Sequence, residues 1–162
     1  GQIVQKKCTS CGGSGARERR STVSVNIPKG IEDGKKLRLS GLGQKGVGGA
    51  PPGDLILEVN VESHPEFERR GKDVYTRVSV DMVEAALGTE KEVRTLDGKV
   101  TLKVPPGTQP GQKLRLKGRG GEQSDGSRGD HYVEVDVRIP RRLNERQRQL
   151  LREFRKAHAA TA

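Results

Sequence analysis

A run of thirteen residues occurs twice in this chain, 77 positions apart. Ile27-Pro-Lys-Gly-Ile-Glu-Asp-Gly-Lys-Lys-Leu-Arg-Leu39 returns as Val104-Pro-Pro-Gly-Thr-Gln-Pro-Gly-Gln-Lys-Leu-Arg-Leu116. Pro28, Gly30, Gly34, Lys36, Leu37, Arg38 and Leu39 match Pro105, Gly107, Gly111, Lys113, Leu114, Arg115 and Leu116. Val23 and Val25 answer to Val100 and Leu102, and Gly41 and Gly43 to Gly118 and Gly120. Gly53-Asp54 answers to Gly129-Asp130 after a one-residue slip. A register kept over that span marks a tandem of two similar units.

Each unit reads as small β-structure. Val23, Val25 and Ile27 alternate with Ser24 and Asn26. Leu55, Leu57, Val59 and Val61 alternate with Ile56, Glu58 and Asn60, and Val133, Val135, Val137 and Ile139 alternate with Glu134, Asp136 and Arg138. Period-two patterns place one face on a core and the other in water. The helical signal inside a unit is Asp81-Met-Val-Glu-Ala-Ala-Leu87, with Asp81 as N-cap and Gly88 as stop. A second helix is predicted from Asn144, with Gln147 completing a capping box. Its stripe of Leu150, Leu151, Phe154 and Ala157 lies opposite Arg148, Arg152 and Arg155 and is expected to pack on the second domain or on a second copy.

The expected fold is therefore mainly β: two tandem small β-sandwich domains, each with little helix, plus a short C-terminal helix. Residues 1–21 form a leading segment, 22–71 the first domain, 72–140 the second, and 141–162 the helix and tail. The second unit carries strands over Val74–Val80 and Glu90–Thr95 before its repeated core, whereas the first has only residues 1–21 there. The chain is expected to begin partway through its first domain.

Composition narrows the function. Two Phe, two Tyr and no Trp leave thin aliphatic cores and a poor platform for stacking bases. The net charge is +10, and 7 basic against 2 acidic residues fall after position 140, while residues 72–140 carry 12 against 11. Charge gathered on a terminal helix argues against a nucleic-acid surface on the domains. No apolar run approaches the roughly 20 residues needed to cross a bilayer, and two cysteines build no disulfide framework, which points to a reducing cytoplasm. Neither cysteine has a nearby histidine and no acidic pair recurs, so an enzyme is not expected.

Three motifs carry chemistry on paper. Cys8-Thr-Ser-Cys11-Gly-Gly-Ser-Gly15 has the form Cys-x-x-Cys-x-Gly-x-Gly, and two such thiolates can share a tetrahedral zinc. His64, His131 and His158 lack ligand spacing, so the pair reads either as half a zinc site or as two free thiols in a loose end. Gly41-Leu-Gly43-Gln-Lys-Gly46 matches a dinucleotide loop, but Pro51-Pro52 follows where a helix must start. His64-Pro65-Glu66 reads as an interdomain turn.

Together the segments Cys8–Gly15, Val25–Gly30, Gly53–Val59, His64–Tyr75, Ala85–Gly88, Thr95–Gly98 and Leu143–Leu151 resemble the C-terminal substrate-binding region of zinc-class DnaJ-type co-chaperones. The resemblance implies two β-sandwich domains, with residues 1–21 as the end of a zinc module inserted into the first. It implies zinc in the full-length parent, with Cys8 and Cys11 as a half site expected to stay empty in this chain. Unfolded client polypeptides would be the partners, a DnaK-type chaperone would be reached through the parent's J-domain, and a homodimer could form. The client pocket would include Val23 and Leu57. Their strand parity does not separate a groove from a core. The competing readings are a basic zinc-dependent nucleic-acid module and a purely structural dimerisation piece.

Overall fold

The computed structural model describes Thr9, residues 20–46 and residues 49–160. In chain order the elements are β1 (Lys36–Leu39), β2 (Leu55–Glu58), β3 (Glu68–Arg70), β4 (Asp73–Asp81), α1 (Met82–Leu87), β5 (Thr89–Thr95), β6 (Gly98–Val104), β7 (Lys113–Leu116), β8 (His131–Arg138) and α2 (Glu145–Ala159). The chain is mainly β and ends on a short helix, as its periodicities predict. β1 and β2 form a two-stranded antiparallel sheet. The order β3-β4-β8-β7 makes a four-stranded sheet in which β4 and β8 run parallel, and β5-β6 is a separate hairpin. A parallel pair needs a long crossover; residues 82–130 supply it.

The duplication is reproduced in the strand pairing and in the bonds that flank it. Leu37 stands opposite Leu57 and Leu39 opposite Leu55 in the first copy, as Leu114 stands opposite Val133 and Leu116 opposite His131 in the second. Gly34 donates to the Val59 carbonyl and Gly111 to that of Val135, each at 2.8 Å. Gly43 donates to Gly53 at 2.8 Å, and Gly120 to Gly129 at 2.9 Å. A Cβ on Gly43 would come within 2.6 Å of the Asp54 carbonyl oxygen, and one on Gly120 within 2.5 Å of the Gly129 carbonyl carbon. Both glycines are thus dictated by the same close approach of two backbones. The one-residue slip is absorbed between the paired strands, where the first copy's loop is the longer.

Among the described residues the buried core sits in the second unit. Val93, Leu102 and Val104 on the β5-β6 hairpin cover Val80, Val133 and Val135 on the sheet, with Ala85 of α1 among them. Burying a valine of this kind fully contributes about 1.5–3 kcal/mol. α1 starts where expected: the Asp81 side chain accepts from the Val83 and Glu84 N–H groups, and Glu84 reaches back to the Asp81 N–H. It stops at Gly88, whose φ of +82° suits glycine.

The first copy differs. Among the described residues none before Val74 is buried. The strand expected over Thr22–Ile27 does not form. Its counterpart in the second copy is β6, which is held by a full ladder to β5. Residues 22–27 have no such partner among the described residues, and a strand without a ladder loses its backbone bonds to water. β2 also ends earlier than the alternation to Val61 suggests, because the Val61 N–H is taken by the Asp33 carboxylate at 2.8 Å.

α2 begins at its N-cap Asn144, and the capping box with Gln147 is present. Its apolar stripe is only lightly covered. Leu151 is half-buried, while Leu150 and Phe154 remain 45 % and 65 % exposed.

Candidate functional site

Leu37, Leu39, Leu55 and Leu57 lie on one face of the β1-β2 pair, because residues opposite each other on antiparallel strands share a face. All four are half-buried, as is Val59 one step beyond the strand. The equivalent face of the second copy carries Val133 and Val135, both 0 % exposed beneath the β5-β6 hairpin. One aliphatic surface is thus sealed in one copy and half open in the other. Ile56, on the opposite face of β2, is 53 % exposed.

Leu57 therefore sits at the middle of an aliphatic patch. Val23 is 39 % exposed and lies outside any strand, so its predicted parity has no structural meaning there. The sequence reading missed Leu37, Leu39 and Leu55 as members of the Leu57 face. The signal was available in the repeated Leu-x-Leu of β1 and β7. Cys8 and Cys11 lie outside the described residues. Among the described residues no group of three or more His, Cys, Asp or Glu could hold a metal ion. The Gly41–Gly46 stretch opens the loop between β1 and β2, and none of the described residues of that loop is helical.

The patch is positioned by the segment that joins the copies. His64 Nδ1 accepts the N–H groups of Glu66 and Phe67 at 3.1 and 3.3 Å, which closes the His-Pro-Glu turn. The Arg69 guanidinium donates to the carbonyls of Gly30, Ile31 and Gly71 at 2.6, 2.8 and 2.8 Å. It thereby ties the first copy's Pro-Lys-Gly turn to the strand leading into the second. Lys29 adds an exposed ion pair to Glu122 at 2.9 Å. The matching turn of the second copy is held differently, by Gly107 and Thr108 N–H groups donating to the Ala86 and Ala85 carbonyls of α1.

Electrostatics here serve structure. Arg128 Nη2 donates to both oxygens of Asp97 at 2.6 Å and holds that carboxyl below the usual carboxylate range. The Lys91 ammonium, 2.6 Å from Glu84, does the same for the carboxyl that closes the α1 capping box. On the outward face of the four-stranded sheet Tyr75 and Tyr132 stack at 5.1 Å, and the Arg70 guanidinium lies 4.6 Å from the Tyr75 ring centre. No helix among the described residues is long and apolar enough to cross a membrane.

Residues 3–140 match the family described as DnaJ C terminal domain. A chaperone protein DnaJ of Parageobacillus thermoglucosidasius is 50 % identical over 152 residues, which are 93 % of this chain and 40 % of that protein. The chaperone protein DnaJ of Halalkalibacterium halodurans is 46 % identical over 155 residues, 95 % of this chain and 42 % of its own length. That of Brucella anthropi is 47 % identical over 158 residues, 96 % and 42 %. The chain spans about two fifths of the length of these curated relatives. The relatives are named as chaperones, in keeping with a chain in which no catalytic constellation was expected. With the match running through both copies of the repeat, the chain belongs to the DnaJ C-terminal domain family.

Proposed function

We propose that this chain supplies the client-binding part of a DnaJ-type co-chaperone, holding unfolded or extended polypeptide for delivery to a DnaK-type ATPase chaperone in the cytoplasm. The observation that carries the proposal is the family match over residues 3–140, joined by an aliphatic face of Leu37, Leu39, Leu55 and Leu57 on β1-β2. An extended client recognises such a place through backbone pairing, which is blind to sequence, and through apolar side chains laid on Leu57, Val23 and their neighbours.

On this reading residues 22–71 are the client-holding domain, 72–140 a second domain and 141–162 the C-terminal helix and tail. Delivery to the ATPase would run through a J-domain in a longer chain. Cys8 and Cys11 would supply two of four zinc ligands, with the remaining pair from residues beyond this sequence; thiolates in pairs of this spacing are what a structural zinc takes. The exposed Phe154 and Leu150 on α2 support pairing with a second copy.

Suppression of the aggregation of a heat-denatured client, followed by light scattering, tests the proposal. The chain should lower the scattering in proportion to its concentration, with little dependence on salt. Unchanged scattering would remove the client role. A steep loss of effect with added salt would point instead to the charge-driven binding of a basic module.

A further inference from the structure

His131 opens β8 at a position where the first copy has Leu55. Its side chain is completely buried, at 0 % exposure. In register it lies between Val74 of β4 and Leu116 of β7. Nε2 and Thr76 Oγ1 are 2.7 Å apart, and Nδ1 has no partner. A neutral ring leaves one nitrogen unsatisfied here. A protonated ring would carry two N–H donors and a charge, with an acceptor for only one of them.

The charged groups on the surrounding elements are already committed. On β4, Asp73 accepts the Asp130 N–H at 2.8 Å. Beside β8, Asp130 accepts the Gly118 N–H and faces Arg115 of β7 at 3.7 Å. In the joining segment Glu66 pairs with Arg94 at 3.2 Å and Glu68 with Arg70 at 2.8 Å, and His64 spends Nδ1 on two backbone N–H groups. None of these forms a bond to His131. The Phe67 ring meets the His131 ring edge-on at 6.1 Å, and the His64 ring lies against Phe67 at 5.0 Å.

We propose that His131 is an acid-sensitive latch: on taking up a proton it leaves its site between β4 and β7, loosens the β4-β8 junction, and frees Phe67 and the His64 turn that joins the two copies. Burial pushes the ring below the ordinary imidazole value. The sign follows. The unfolded chain takes up this proton near pH 6.5 and the folded one only at lower pH. Stability is therefore complete above about pH 6.5 and falls as the pH drops towards the folded-state value.

The test compares denaturant unfolding of the unaltered chain and of His131→Leu, the residue the first copy uses at this place, between about pH 7.5 and about pH 5.5. The folded-to-unfolded ratio of the unaltered chain should fall by up to about tenfold per pH unit once below about pH 6.5. His131→Leu should be nearly flat over that range, and His64→Ala should keep the slope. Equal slopes in the unaltered chain and His131→Leu would overturn the proposal. Imidazole titration by NMR on the unaltered folded chain decides independently of whether His131→Leu folds. The His131 ring should titrate below the ordinary value with Phe67 resonances shifting in step. Titration at or above the ordinary value, or with Phe67 unmoved, would also overturn it.

Discussion

Asp130 accepts the backbone N–H of Gly118 at 2.7 Å, and 76 residues earlier Asp54 accepts that of Gly41 at 3.0 Å. Each carboxylate also pairs with the arginine of its own Lys-Leu-Arg-Leu strand, Arg115 or Arg38. One aspartate thus joins the end of one strand to the turn leaving its partner, and the device is used once per copy. Replacing Asp130 with Ala leaves the Gly118 N–H without its acceptor. The second unit should lose about 1–3 kcal/mol, read as a lower midpoint in denaturant. Asp54→Ala should have a smaller effect on that transition, because its unit contributes no buried residue among those described.

Arg69 fixes the first copy's turn to the strand that leads into the second through three carbonyls. Hydrogen bonds from a charged donor are the stronger kind, about 1.5–3 kcal/mol each at most. Arg69→Ala should leave the second unit's melting nearly unchanged while the Gly30 and Ile31 amide resonances broaden or shift and small-angle scattering reports a wider spread of shapes. Lysine at the same place offers no planar fork and should rescue little.

Asp97 depends on Arg128 for its low pKa, first through their hydrogen bond. A carboxyl lowered in the folded state adds stability at pH values above its unfolded value, and that stability is lost as the pH falls through the folded one. Arg128→Gln should move the Asp97 titration, followed by NMR, up towards the ordinary carboxylate range. No movement would show that the bidentate contact is not what lowers it.

Much of this architecture was legible in the chain because its constraints are local. The glycines at 43 and 120 answer to a backbone approach, Asp81 and Asn144 to orphan helix N–H groups, and the alternation in β8 to a buried face. What escaped depends on distant partners. Thr22–Ile27 has the pattern of a strand and lacks the ladder that makes one. Arg69 reaches carbonyls 38 and 39 residues away, a relation no spacing encodes. His131 shares the inward parity of Val133 and Val135 and aligns with Leu55, and that parity was the available sign of its burial. Leu57 could be placed on an apolar face, but the openness of that face becomes visible only beside its sealed counterpart at Val133.

The central claim is that Leu57 belongs to a surface that receives client chain. Leu57→Asp and Val133→Asp, measured side by side by thermal melting and by titration with an extended apolar peptide, test it most directly. At Leu57 the charge stays hydrated until a client arrives, so melting should change little while peptide binding weakens by about 1–3 kcal/mol from lost apolar burial. Val133, fully buried at the same register position in the second copy, should instead lose folding stability, because there the charge is buried unpaired. If both variants unfold alike, or if Leu57→Asp binds the peptide as tightly as the unaltered chain, the client surface is not at Leu57.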